Sequence, residues 1–164
     1  MADANLTAAQ LREILDYDPE TGLFTWAISR RGCRRGDQTG APHRNGYVMI
    51  GINRRARLAH RLAWLHTYGE WPKGQIDHIN GVRADNRLAN LRDVPGRINR
   101  QNQRAARSDN RETGLLGVYK NHGQWGARIQ LNGRQHYLGN FQTPEEAHAA
   151  YIKAKRLMHP GCTL

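Results

Sequence analysis

Apolar and polar positions along the chain follow the periods that folded elements require. In TAAQLREILD (7–16), Leu11, Ile14 and Leu15 recur at i, i+3 and i+4, and Thr7 can cap the first turn, which predicts a short helix. The turn signal DYDPETG precedes LFTWAI, which alternates as a strand does. The stretch 30–45, RRGCRRGDQTGAPHRN, is rich in Gly and Arg and reads as a mobile loop. GYVMIGI (46–52) and RARLAH (55–60) then bracket Asn53-Arg54 as a hairpin. HRLAWLHTY (60–68) places Leu62, Trp64 and Leu65 on a helical face that Gly69 and Pro72 stop.

From Gln75 to about Arg107 the pattern predicts a strand (QIDHIN), a turn-rich loop (GVRADNRLAN), a second strand (LRDV) and a helix (PGRINRQNQRAAR), with Pro95 near its first turn. The polar, breaker-rich SDNRETG (108–114) reads as a linker. Beyond it LGVYKN, QWGARIQLN and RQHYLGNF form three strands, separated by His122-Gly123 and by the strong hairpin signal Asn132-Gly133. Thr143-Pro144-Glu145-Glu146 opens a final helix as a capping box, with Ala147, Ala150, Tyr151, Ala154, Leu157 and Met158 as its apolar stripe. The class is therefore α+β, divided into N-terminal elements (1–45), a central unit (46–107), the linker (108–114) and a small three-stranded sheet with one helix (115–164).

Charge changes this picture more than composition does. Hydrophobic residues at 38% and charged residues at 24% are ordinary for a globular chain, and no apolar run reaches the ~20 residues of a membrane span. The acidic N-terminus lacks the apolar stretch of a signal peptide, so a cytoplasmic, non-secreted protein is expected. The first 25 residues hold five acids against Arg12 alone, a local charge of −4, so the net +11 leaves +15 on the remaining 139. A field of that sign attracts polyanions, and each neutralised phosphate releases counterions. Arg97, Arg100, Arg104 and Arg107 recur at helical spacing with no acid between Asp93 and Asp109, as a phosphate-tracking face would. The two cysteines, Cys33 and Cys162, are too few for a zinc site.

Candidate chemistry concentrates in IDHINGVRADNRLANLRDVPGRIN. A carboxylate (Asp77) and an amide oxygen (Asn99) are hard ligands suited to Mg²⁺ or Mn²⁺, and His78 can deprotonate water near neutral pH. Metal, base and phosphate together describe phosphodiester hydrolysis. Taken singly, an Asp-His pair on a strand and an Asn-rich loop also occur without function. His60 and His66 lie six apart, which is not the spacing of a helical zinc pair, and His60 suits a structural or phosphate-contact role.

DHINGVRADNRLANLR, preceded by AHRLAWLHTYGEWPKGQI, resembles the HNH endonucleases of phages and mobile introns in their His-Asn-Asn variant, over about residues 58–103. LDYDPETGLFTW and GYVMIGI also look like the N-terminal part of phage members. The resemblance implies a ββα-metal fold in which Asp77 and Asn99 bind the divalent metal, His78 is the general base and Asn90 braces the loop. Asn99 stands where many members have His, a hard oxygen donor that fits Mg²⁺ or Mn²⁺ better than zinc.

In the C-terminal segment Trp125, Ala127, Ile129 and Leu131 share one strand face. Tyr119, Arg128, Gln130, Gln135 and Tyr137 fall on the opposite face of the sheet, as DNA-contacting residues or as a plain solvated surface. GVYKNHGQWGARIQLNGRQHYLGNFQTPEEAHAAYIKAKRLMH resembles the APETALA2/ethylene-response-factor DNA-binding domain at Gly117-Val118, Trp125, Ala127-Arg128-Ile129, Leu138-Gly139, Phe141 and the EEAHAAY helix. That family reads DNA from the sheet face, but its plant members carry more Arg and Trp there, so no target sequence carries over. The combined expectation is a metal-dependent DNA endonuclease acting on double-stranded DNA, a nicking monomer or a weak homodimer. The alternatives are a non-catalytic sequence-specific DNA-binding protein and a phage packaging accessory.

Overall fold

A computed structural model of the chain describes residues 6–106, 110 and 112–164. It is an α+β structure whose sheets are all antiparallel, and it divides into two compact units, residues 1–95 and 96–164.

The first unit opens with helix α1 (Ala8–Ile14), where Thr7 and Gln10 complete a capping box, so two orphan N–H groups are satisfied at its start. The chain then turns into a three-stranded sheet of β1 (Leu15–Tyr17), β2 (Phe24–Trp26) and β3 (Gln38–Thr39). A second three-stranded sheet joins β4 (Ala41–Pro42), β5 (Val48–Ile52) and β6 (Arg55–Leu58). The stretch expected to be wholly loop thus contributes β3 and β4, because its short segments pair with Phe24–Thr25 and Val48–Met49. Helix α2 (Ala59–Tyr68) follows without a break and ends at Gly69 in the left-handed conformation, as the sequence predicts. Leu11, Leu15, Phe24, Ile50, Ile52, Leu62 and Leu65 are fully enclosed between these elements. Each such side chain contributes roughly 1.5–3 kcal/mol of burial. The unit closes with the ribbon β7 (Gln75–His78) and β8 (Leu91–Val94), whose Ile76 and Leu91 join the same core.

The second unit begins with helix α3 (Gly96–Gln101). The helix ends well before the Arg107 that the sequence pattern predicts for it, so Arg104 lies beyond the helix and the four-arginine helical face does not form; Arg107 itself lies outside the described residues. Strands β9 (Val118–Asn121), β10 (Gln124–Leu131) and β11 (Arg134–Phe141) form a meander, and α4 (Pro144–Met158) covers one face of it. Both predicted hairpins are present: His122 and Asn132 take φ 44° and 50°, and the glycine after each takes 82°. Thr143 and Glu146 form the predicted capping box, with Pro144 in the first turn. The buried stripe of α4 differs from the prediction. It is Ala147, Tyr151 and Lys155, spaced by four, while Leu157 is 79% exposed. The Lys155 stem lies in the interior and its ammonium donates to the Gln103 carbonyl, which is what makes burial of that charge tolerable.

Candidate active site

The β7–β8 ribbon positions the Asp-His pair. Asp77 faces Arg92 across the ladder and His78 faces Leu91. Neighbouring strand residues project to opposite faces, and here they meet different surroundings. Arg92 holds Oδ2 of Asp77 from two nitrogens, at 2.9 Å and 2.7 Å, and so fixes the orientation of a carboxylate that is 5% exposed. His78 lies among rings: its centroid is 5.0 Å from that of His60 and 6.0 Å from that of Tyr47. Arg83 in turn stacks over Tyr47, 5.1 Å from its centroid.

Asn86, in the loop between the strands, faces the His78 ring. Its Nδ2 donates to the Ala84 carbonyl at 3.2 Å, so Oδ1 is the atom turned to Nε2 of His78, 3.4 Å away. An amide oxygen only accepts, so this contact favours the tautomer with the hydrogen on Nε2. Burial lowers the pKa of His78, partly offset by the Asn86 hydrogen bond and by the Asp77 charge. The imidazole is therefore held neutral at pH 7, ready to accept a proton. The Asn86 backbone is fixed as well: its carbonyl accepts from the Tyr17 hydroxyl at 2.7 Å.

Asn90 braces the loop. Its Oδ1 accepts from the Asn80 N–H at 2.9 Å, its Nδ2 donates to the Asp85 carbonyl at 2.8 Å, and its own carbonyl accepts from the Ile79 N–H. Asp85 adds a second clasp, bonding Asn80 Nδ2 and pairing with Arg87 at 2.6 Å, and the Arg87 bonds pull its pKa down to about 2. His60 is 5% exposed and its Nδ1 has no hydrogen-bond partner among the described residues; burial first, then His78 and Arg61, push its pKa down to about 3. His66 sits apart from this cluster, against Leu15, Tyr17 and Phe24.

Asp77, His78 and Asn90 thus come together on one ribbon and its loop. Asn99 lies on α3 in the second unit, with the exposed Arg97 and Arg100 on the same helix. Arg104 bonds the carbonyl and hydroxyl of Thr163. Among the described residues no three His, Cys, Asp or Glu side chains form a ready ligand set, so a divalent ion here would rest on the Asp77 carboxylate, amide oxygens and water. Such a hard-oxygen set fits Mg²⁺ or Mn²⁺. Sequence reasoning missed Asn86, Tyr47 and Arg92. Asn86 and Arg92 stand inside the quoted motif, whereas Tyr47 lies outside it and enters only through packing.

In the second unit Tyr119, Arg128, Gln130, Gln135 and Tyr137 do share one sheet face. Arg128 stands opposite Tyr137 and Gln130 opposite Gln135. The Tyr119 ring lies across Gly126, where a Cβ would come within 2.5 Å of it, and the Arg128 guanidinium stacks 4.7 Å from that ring. Arg128 also donates to Gln135 Oε1 at 3.4 Å.

Comparison with curated proteins and with solved structures gives no match. A family model described as HNH endonuclease matches residues 57–101, the span from β6 through α2, the Asp77–His78 ribbon and α3, and that match supports a nuclease acting on DNA.

Proposed function

We propose that the protein is a divalent-metal-dependent endonuclease that hydrolyses phosphodiester bonds of double-stranded DNA. The observation that carries this reading is His78, buried at the end of β7 next to the Arg92-held Asp77 and facing Asn86, inside the HNH-matching segment. His78 takes the proton from the attacking water at Nδ1. Arg92 keeps the Asp77 carboxylate oriented, and Asn90 holds the loop so that the ribbon end keeps its shape. Asp77 and, by the sequence motif, Asn99 are the residues that would hold the ion. When bound, Mg²⁺ or Mn²⁺ supplies charge stabilisation for the phosphate and the departing 3′ oxygen. The products are 5′-phosphate and 3′-hydroxyl ends.

A chain with one such site nicks, and paired cuts need two events or a weak homodimer. The resemblance of the motif favours a free-standing or homing enzyme of the phage type. The exposed sheet face bearing Arg128, Gln130, Gln135 and Tyr137, together with Tyr119, supports a targeting role for the C-terminal segment, since Arg and Gln are the side chains that read guanine and adenine edges. Arg97 and Arg100, exposed on α3, serve the phosphate backbone in this reading.

The test is supercoiled plasmid incubated with Mg²⁺ or Mn²⁺, beside EDTA and the His78→Ala variant. Open circles from wild type alone are expected, with binding retained by His78→Ala. Tight binding with no conversion under either metal would replace the enzyme by a non-catalytic DNA-binding protein, and a requirement for a partner protein would point to a packaging accessory.

A further inference from the structure

Residues 30–55 hold seven arginines against one acid, Asp37, and none of them is used by the site above. The segment RRGCRRGD repeats a four-residue unit, and the structure turns each copy into a tight turn. Arg30 and Cys33 exchange backbone hydrogen bonds at 3.0 Å, which puts Arg31-Gly32 at the tip. Asp37 N–H donates to the Arg34 carbonyl at 3.1 Å, which puts Arg35-Gly36 at the next tip. Gly32 and Gly36 take φ 85° and 87°, a conformation glycine alone adopts without strain. Asp37 is spent inside its turn, accepting from the Arg34 N–H at 2.7 Å.

A third tip is linked to the first. Arg30 stacks on Trp26 at 3.5 Å and donates to the Gly51 carbonyl, so the first turn is tied to the strand that leads into the Asn53-Arg54 hairpin. That hairpin breaks the chain's own habit. The His122-Gly123 and Asn132-Gly133 turns carry glycine at the second central position, whereas here Arg54 occupies it at φ 61°. A left-handed arginine is strained where glycine would be relaxed, and strain of this kind clusters at functional sites. Arg31, Arg34, Arg35, Arg54 and Arg55 are all exposed, and among the described residues their guanidinium groups have no hydrogen-bond or ion-pair partner.

We infer that the arginine-tipped turns at 31–35 and 54–55 form a phosphate-gripping edge of the first unit, which holds the DNA backbone away from the scissile bond. The inference rests on the reading of DNA as substrate. A duplex presents a row of phosphates, and guanidinium forks on successive turn tips suit such a row. The edge positions the substrate without reading its sequence.

The test is the salt dependence of binding to a short DNA duplex of arbitrary sequence, for wild type, Arg54→Gly, Arg54→Lys and the Arg31→Ala/Arg35→Ala pair. The slope of log affinity against log salt should fall by about 0.9 for each phosphate contact removed, and Arg54→Lys should keep the wild-type slope. Arg54→Gly is the decisive variant, because glycine relieves the turn: its thermal midpoint should hold or rise while its binding weakens. Unchanged slopes in both Arg54→Gly and the double variant would overturn the edge, as would a larger loss on duplex RNA than on duplex DNA. Plasmid nicking by the same preparations separates the two readings. Reduced slopes with a wild type that never nicks would keep the edge and remove the nuclease, whereas nicking with unchanged slopes would do the reverse.

Discussion

The His60 ring stands edge-on to His78, 5.0 Å between centroids and at 89°, and the Tyr47 ring lies 5.2 Å from the first and 6.0 Å from the second. His60 reaches this place from α2 and His78 from β7, so the helix acts as a wall for the proposed base. A wall that is itself an imidazole stays apolar in effect only while it is neutral.

This sets a pH dependence of folding. The folded chain lowers His60 from its ordinary 6.5 to about 3, so the folded state disfavours the protonated ring. The stabilisation is fully present above pH 6.5 and drains as pH falls from there toward 3. The slope from this one group approaches about 1.4 kcal/mol per pH unit. Urea unfolding at a series of pH values should show it, and His60→Phe should flatten that part of the curve. An identical slope in the variant would assign the dependence to other groups.

Asn90→Ala should loosen the loop rather than the core. The change strands the Asn80 N–H and the Asp85 carbonyl, at an expected cost on the order of 2–4 kcal/mol. Hydrogen exchange should accelerate at Asn80 and its neighbours before it does so in α2. Uniform acceleration would mean that the loop and the core open as one unit.

Gly22→Ala is a remote probe of the site. Gly22 has φ 75°, and a Cβ there would lie 2.4 Å from the Arg87 nitrogen and 2.5 Å from the Asn86 carbonyl carbon. The Asn86 segment must shift, and with it the partner of His78 Nε2. Nicking should slow by roughly 10–100-fold, as a misplacement near 1 Å does. Gly69→Ala, equally left-handed but with open space around it, is the control and should leave nicking intact. Equal losses in both variants would reduce the effect to stability.

Arg128→Ala tests the sheet face of the second unit. An arginine that reads a base edge should cost about 1–3 kcal/mol in binding and relax the preference at one position. A uniform loss across all sequences would instead place Arg128 on phosphate. Competition binding against a randomised duplex pool distinguishes the two.

Much of this molecule was legible in the chain, where local rules decide. Asn132-Gly133 can hardly do other than turn, Thr143-Pro144-Glu145-Glu146 carries its own cap, and Gly69 ends α2 because no other residue is relaxed at its φ of 81°. The Asp77-His78 pair and the loop-bracing Asn90 could be named from spacing and resemblance, because motif chemistry is written in consecutive residues. Where packing or long-range pairing decides, the sequence was silent or misleading. Strands Gln38–Thr39 and Ala41–Pro42 exist only because partners wait for them, and α3 stops at Gln101 although its arginines continue in phase. Lys155 lies inside because the Gln103 carbonyl receives its ammonium. The His78 ring likewise faces Asn86 eight residues on, whose backbone is held by Tyr17 sixty-nine residues before it. Local conformational preference and motif belonged to the sequence; burial, and the hydrogen bonds that make burial tolerable, belonged to tertiary structure, because they arise only when distant segments exclude water together.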